Sequence, residues 1–344
     1  MKIGSKKIGP RNPVFIIAEA GVNHNNKLSL AYRMIDLASK SGADAIKFQS
    51  FITENMQLKD SQKPQYQNNL PWSYYEQLKK SESSFDFQKK LIRYCNKRKI
   101  LFLSTPYDEE SLDFLMKMKI PALKVSASDT NNHLFLKYII KQKKPILLST
   151  GLSSTIQLDK TINFLKKNNA LDKLVLLQTN SDYPTPNEDM NLRVITEYSN
   201  RYGVLVGLSD HSPDYVASIG AVALGACVLE KHFTLSKKLS GPDQSSSLEP
   251  TEFKNWIKKV REMEVILGNS KKTITNSEKK NLSMRKILVI SPAKKGTKLT
   301  MKLLKSKRGN IRGILPMDEN IKKILGKKLK KNLKTETQFD WKMI

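Results

Sequence analysis

Cysteine is almost missing from this chain of 344 residues: there are two, Cys95 and Cys227, both within apolar segments. Two such thiols cannot build the disulfide framework of a small secreted fold. No apolar run comes near the roughly 20 residues that cross a bilayer as a helix. Met1 to Pro13 is basic and lacks the apolar core of a signal peptide. Together these absences predict a protein of the reducing cytoplasm with no membrane partner. Arginine is scarce beside lysine, and histidine occurs only four times. No Gly-rich phosphate loop follows the first strand-like run, which argues against a doubly wound dinucleotide-binding sheet.

Positive charge is what the chain has in excess, with a net charge of +28. Residues 271–344 alone carry 22 Lys and Arg against 5 Asp and Glu. A tail of this kind suits nucleic acid, an acidic partner or anionic substrates. Its basic stretches have no interleaved stacking aromatics, and neither a helix-turn-helix nor an RNA-binding signature occurs, so no specific nucleic-acid partner is expected. A lysine- and asparagine-rich surface is also what an AT-rich genome imposes on exposed positions. Weak non-specific binding at low salt is all that the charge requires.

Short apolar runs recur at 14–18, 45–48, 101–104, 122–125, 146–149, 174–178, 204–208 and 227–230. They are continuous rather than alternating in polarity, as parallel strands covered on both faces are. Helical patterns lie between them, at 28–41, 109–117 and 214–224 for example, and Ser84, Asp108, Ser153 or Ser154, and Ser212 before Pro213 are the expected N-caps. Eight strands alternating with helices predict an α/β fold, a closed (β/α)8 TIM barrel, over residues 1–268. After a helix at 251–267, residues 269–281 read as a linker. Residues 282–344 read as a small separate domain with β-like pieces at 286–290 and 313–315.

In such a barrel, side chains at the carboxyl ends of the strands converge on the mouth. Here nearly every strand ends in polar residues: Glu19; Lys47 and Gln49; Thr105; Lys124 and Ser126; Ser149; Ser181 before Tyr183; Ser209 and His211; Glu230 and His232. A lysine inside a buried strand is costly unless an anion faces it. Lys47 and Lys124 therefore read either as salt bridges across the barrel or, among so many hydroxyls, as a cradle for phosphate or carboxylate. His211 and His232 end consecutive strands; with Glu19 they suit a divalent cation, or one is an acid–base group and the other a hydrogen-bonding partner. Asp243, in the loop after the eighth strand, either folds over a polar substrate or caps a turn.

The segments IAEAGVNH ending at His24, AIKFQ ending at Gln49, LSTP ending at Pro106, LSTG ending at Gly151, YPTP starting at Tyr183, GLSDHS ending at Ser212, LEKHFT ending at Thr234 and GPD ending at Asp243 occur in one order. In these motifs the chain resembles the bacterial sialic acid (nonulosonate) synthases of the N-acetylneuraminate and legionaminate type, over nearly its whole length. Residues 282–344, with Arg308 ahead of Gly313, resemble their antifreeze-like (SAF) domain. The resemblance implies condensation of phosphoenolpyruvate with N-acetylmannosamine or a related acetamido hexose, giving a nine-carbon 2-keto acid and phosphate. It implies a divalent metal, manganese with magnesium or cobalt as substitutes, on His211 and His232. It also implies a domain-swapped homodimer whose small domain covers the partner's mouth. By similarity, Lys47, Thr105, Lys124, Ser149, Ser181 and Ser209 face phosphoenolpyruvate, and Ser126 is expected among the substrate-binding residues. Gln49, Tyr183, Asp243 and Arg308 face the sugar, and Glu19 lies near the reacting centre. The chain departs from the family at Ala127, where a serine is usual, at Gln178 and Gln244, where histidines are, and at Gly309, where a proline follows the arginine. The related synthases of seven- and eight-carbon sugar acids lack the appended domain, and a basic binding module without catalysis is the reading of another class.

Overall fold

A computed structural model describes residues 1–67 and 72–344. The chain divides into two compact units, Met1–Gly268 and Asn269–Ile344. In the first unit eight parallel strands alternate with helices: β1 (Phe15–Gly21), β2 (Ala45–Ser50), β3 (Leu101–Pro106), β4 (Leu123–Val125), β5 (Ile146–Ser149), β6 (Leu174–Thr179), β7 (Leu205–Asp210) and β8 (Val228–His232). Among the described residues the hydrogen-bonded order is β3-β2-β1-β8-β7-β6-β5-β4. The two end strands β3 and β4 lie side by side, so the sheet closes to nearly a full barrel.

Residues alternate strictly between two cores, because successive strand side chains point to opposite faces. Phe15, Ile17, Ala45, Leu103, Leu147, Val175, Leu177 and Val228 fill the interior. Ile16, Ala18, Ile46, Phe102, Leu148, Leu176, Leu208 and Leu229 face the helices. An antiparallel pair, Lys2–Ile3 with Lys6–Lys7, adds Ile3 and Ile8 to the interior cluster. The interior is thus apolar beneath, and polar side chains begin only where Glu19 and Lys47 stand in register.

The main helices are α1 (Leu28–Ser41), α2 (Phe85–Arg98), α3 (Glu109–Lys117), α4 (His133–Lys141), α5 (Thr155–Lys167), α6 (Arg193–Tyr202), α7 (Val216–Ala223) and α8 (Pro250–Leu267), with two shorter ones, Thr53–Met56 and Tyr74–Ser81, in the connection between β2 and α2. Each buries one stripe: in α1 it is Ala31, Met34, Ile35 and Ala38, the spacing of a single helix face. Ser84, Asp108 and Ser154 cap α2, α3 and α5 through their side chains. Ser212 does not cap α7, which starts four residues later; its hydroxyl donates instead to Asp210. Among the described residues, no helix is long and apolar enough to cross a membrane.

The second unit has a three-stranded antiparallel sheet, β9 (Lys286–Ile290), β10 (Leu304–Arg308) and β11 (Thr337–Gln338), with β9 in the centre, and a helix α9 (Asp318–Ile324). Its core gathers Leu288, Ile290, Leu299, Ile324, Leu329 and Phe339. The piece expected at 313–315 is not a strand. Ile314 accepts one bond from the Leu288 amide, and the ladder position belongs to Leu304–Arg308. That strand is charged and mostly exposed, so no apolar run announces it.

Candidate active site

The polar layer opens into a cavity of about 870 Å³, counted out to its open mouth. Lys47 and Lys124 lie within it, both buried. Lys47 Nζ sits 2.8 Å from Glu19 Oε2 and 3.7 Å from Glu230 Oε1, and donates to Thr105 Oγ1 at 3.0 Å. Lys124 Nζ sits 3.4 Å from the same Glu230 oxygen and donates to Ser149 Oγ at 2.7 Å. Ser209 Oγ donates to Glu230 Oε1 at 2.9 Å. The lysines therefore do form salt bridges across the barrel, and they do so among hydroxyls that all face one space.

Burial sets the protonation of this layer. It pushes the Glu19 carboxyl up to about 7, with Lys47 opposing the rise. Glu230 is also buried, but Lys124 and Lys47, with the Ser209 hydroxyl, hold it below the usual carboxylate range. Lys124 is lowered by burial despite Glu230, whereas Lys47 is raised because Glu19 and Glu230 outweigh its own burial. A layer with two lysines and one carboxylate that takes up a proton near neutrality can present net positive charge to an anion.

Above the lysines stand the two histidines, with ring centroids 5.2 Å apart and the Tyr183 ring 4.1 Å from His211 and 5.4 Å from His232. His211 Nδ1 lies 2.5 Å from the Asn180 carbonyl oxygen, so that nitrogen carries the proton and Nε2 keeps its lone pair. Burial lowers His211 to about 4 and His232 well below its ordinary value, so both are neutral at pH 7. His232 Nδ1 is buried with no hydrogen-bond partner and lies 3.8 Å from Asp243 Oδ2. Neutral imidazoles, one oriented by a backbone carbonyl and one with an orphan nitrogen, fit a divalent cation. Among the described residues no group of three His, Cys, Asp or Glu converges as a metal site, so a cation here would take its remaining ligands from water or substrate.

Asp243 does not cap the turn at Gln244–Ser246 with its side chain; it lines the cavity, and burial raises it to about 6. Gly21 shapes the same corner. Its φ is +49°, and a Cβ there would stand 3.4 Å from Glu19 Oε1 and 3.5 Å from Gln49 Nε2. Gln49, Ser126 and Tyr183 line the cavity as well, and Ser126 donates to Asp129 at 2.8 Å. Ala127 lines it without a hydroxyl.

Of the residues expected from the barrel itself, Ser181 lies elsewhere. Ser181 lines a neighbouring cavity with Thr150, Ser154 and Asn180, because the chain turns outward after β6. Arg308 ends β10 of the second unit, paired with Lys286. Gln178 points outward from β6, towards Thr150 and Tyr198, and Thr179 takes the inward position beside it. Gln244 is buried against Asn25 instead of facing the mouth. Tyr74 and Gln77, from the long connection between β2 and α2, line the mouth without having been anticipated, since they lie far in sequence from any strand end. Glu230 was legible as a strand end, and the alternation with Lys231 gives its inward direction.

A nearly closed parallel barrel with a buried lysine–carboxylate layer beneath two neutral histidines defines the class: an enzyme-type TIM barrel with a polar site at its carboxyl face. The chain belongs to the NeuB family, which matches residues 34–272. It is 39% identical to the N,N'-diacetyllegionaminic acid synthase of Campylobacter jejuni, over 93% of this chain and 97% of that one. The synthase of the same name from Legionella pneumophila is 36% identical over 99% of this chain and 97% of its own length. Among solved structures, the N-acetylneuraminic acid (sialic acid) synthetase of Leptospira borgpetersenii, in complex with citrate, is similar with a TM-score of 0.73 and 32% identity, covering 83% of this chain and 95% of that one.

Proposed function

We propose that the protein is a nonulosonate synthase that joins phosphoenolpyruvate to the open-chain aldehyde of an N-acetylated amino hexose. The observation that carries this is the pair of buried lysines, Lys47 and Lys124, each bonded to a hydroxyl and sharing Glu230, at the floor of the mouth. Phosphoenolpyruvate carries a phosphate and a carboxylate, the two groups such a floor can hold at once.

In the proposed reaction, C3 of phosphoenolpyruvate forms a bond to the aldehyde carbon, and the aldehyde oxygen takes a proton. Water then adds to C2, and the tetrahedral centre collapses to the ketone with cleavage of the C–O bond to phosphate. Lys47, Lys124, Thr105, Ser149 and Ser209 bind the enol phosphate and hold its charge away from bulk water. Glu19, which changes protonation near pH 7, exchanges a proton with the adding water. Gln49, Tyr183 and Asp243 orient the sugar. His211 and His232 would hold a divalent cation, Mn2+ by expectation, whose chemistry when bound is to polarise the sugar carbonyl as a Lewis acid. The antifreeze-like assignment of residues 282–344, the homodimer and a role for Arg308 from the partner subunit are part of the same proposal and rest on the family resemblance.

The test is phosphate release from phosphoenolpyruvate with Mn2+ and a panel of sugars, N-acetylmannosamine and its 2,4-diacetamido trideoxy analogue among them. Release with at least one sugar, lost with EDTA and in His211→Ala, is the expected result. No release with any sugar overturns the proposal. The two relatives named above favour the diacetamido sugar, and the panel decides it.

A further inference from the structure

Asp210 and Lys231 precede and adjoin the two mouth histidines in sequence but face the opposite way. They are register partners on β7 and β8. Lys231 Nζ lies 3.1 Å from Asp210 Oδ2, with the side chains 3% and 0% exposed. Their surroundings are the layer between sheet and helices, whose core is made of apolar side chains such as Leu208, Leu229 and Phe233. In such a layer the desolvation of an ion pair commonly outweighs its attraction, and apolar residues of the same volume would be at least as stable. A pair kept there against that cost needs a task.

Its remaining contacts supply one. Asp210 Oδ1 accepts from the Ser212 amide at 2.9 Å and from the Ser212 hydroxyl at 2.6 Å, and its Oδ2 accepts from Ser218 of α7. Lys231 Nζ donates to the Ser212 carbonyl at 2.9 Å. The amide, hydroxyl and carbonyl of Ser212 are thus all held by the pair. His211, between Asp210 and Ser212, accepts at its own carbonyl from the Thr185 amide at 2.9 Å. On the strand beside it, Lys231 is directly bonded in sequence to His232.

We propose that the Asp210–Lys231 pair is a positioning device: it clamps the backbone on both sides of His211 and fixes that histidine relative to His232, so that the two imidazoles reach one cation together. The metal in this statement rests on the function proposed above; the positioning does not.

The experiment uses full-length protein and the double variant Asp210→Asn with Lys231→Met, which removes both charges and leaves no unpaired ion. Mn2+ affinity is read from the electron paramagnetic resonance signal of the free ion. Outer-shell groups of this kind shift metal affinity by about 10- to 100-fold, and a loss in that range is expected with the thermal transition intact. Lys231→Arg, which keeps the charge, should stay within a few fold of the parent. A second readout needs no metal: nitrogen NMR of the imidazoles, assignable because the chain has four histidines. The parent should show His211 as the single Nδ1–H tautomer, and the double variant a mixture. A folded double variant with parental Mn2+ affinity and a single tautomer overturns the proposal. If the parent binds no Mn2+, the metal reading fails on its own and the tautomer decides the positioning role. If the double variant does not fold, Asp210→Glu, which keeps both charges but moves the carboxylate away from Ser212, carries both measurements, with the same losses expected.

Discussion

At the scale of single residues, the mouth is a set of groups moved off their ordinary protonation by burial, and this has measurable consequences. Glu19 near 7 should place a limb at that pH in the kcat/KM profile, whichever sugar is used. Glu19→Gln should erase the limb and lower kcat by about 10²- to 10⁴-fold, the usual contribution of a general acid–base group. His24 shows the stability side. It packs against Phe48 and Phe87, its Nδ1 accepts from the Asn26 amide, and burial lowers it to about 4. Between pH 6.5 and 4 the unfolded chain holds the proton that the fold refuses, so this stability is present above 6.5 and is lost as pH falls towards 4. The loss is at most about 3 kcal/mol for this one group. Calorimetry from pH 7 to 5 should show a smaller fall in Tm for His24→Gln than for the parent. The sequence made the inward lysines and histidines readable because charged residues inside apolar strands have few explanations. It hid the partition of Lys47 between Glu19 and Glu230, which depends on distances across the barrel.

Among elements, the strands were legible because burial on both faces leaves a continuous apolar run, and the helices because one face must be apolar. What carried no signal was an element whose residues are mostly exposed, Leu304–Arg308, and, in α7, the exact start, expected at 214 and found at Val216. Helix caps lie between these cases and can be ranked. Ser154 closes a capping box with Gln157 on an exposed turn, whereas Asp108 is buried and accepts from the Ser111 amide, the Ser111 hydroxyl and the Ile52 amide. Ser154→Ala should cost about 1 kcal/mol, and Asp108→Ala clearly more because it leaves buried donors unpaired. Urea unfolding of the two variants measures the difference; equal losses would show that the Ile52 and Ser111 contacts contribute nothing.

At the scale of the whole molecule, the chain divides at Gly268 into two compact units, and residues 269–281 at the start of the second are all exposed. Limited trypsin digestion should cut first at Lys271 or Lys272, and mass spectrometry of the early fragments would show a species ending there; early cuts inside the barrel would contradict the division. The net charge of +28 has a kinetic counterpart. Association of an anionic substrate with so basic a protein is screened by salt, since the Debye length falls from about 30 Å at 0.01 M to about 8 Å at 0.15 M. kcat/KM for phosphoenolpyruvate should drop over that range while kcat stays level, and a flat response would assign the charge no part in capture.

The plug formed by Ile3 and Ile8 has a consequence for how the chain comes to life. These residues leave the ribosome ahead of every strand they touch, yet the cluster that receives them includes Cys227 and Val228, and the backbone of Val14 is tied to Arg261 and Glu264 of α8. This segment must therefore wait, unsatisfied, until more than two hundred later residues have emerged. Closure of such sequence-distant contacts is slow and leaves sticky intermediates. A cell making this barrel must keep Ile3 and Ile8 sheltered until the last strand arrives, and a nascent chain stalled before α8 would be a client for chaperones.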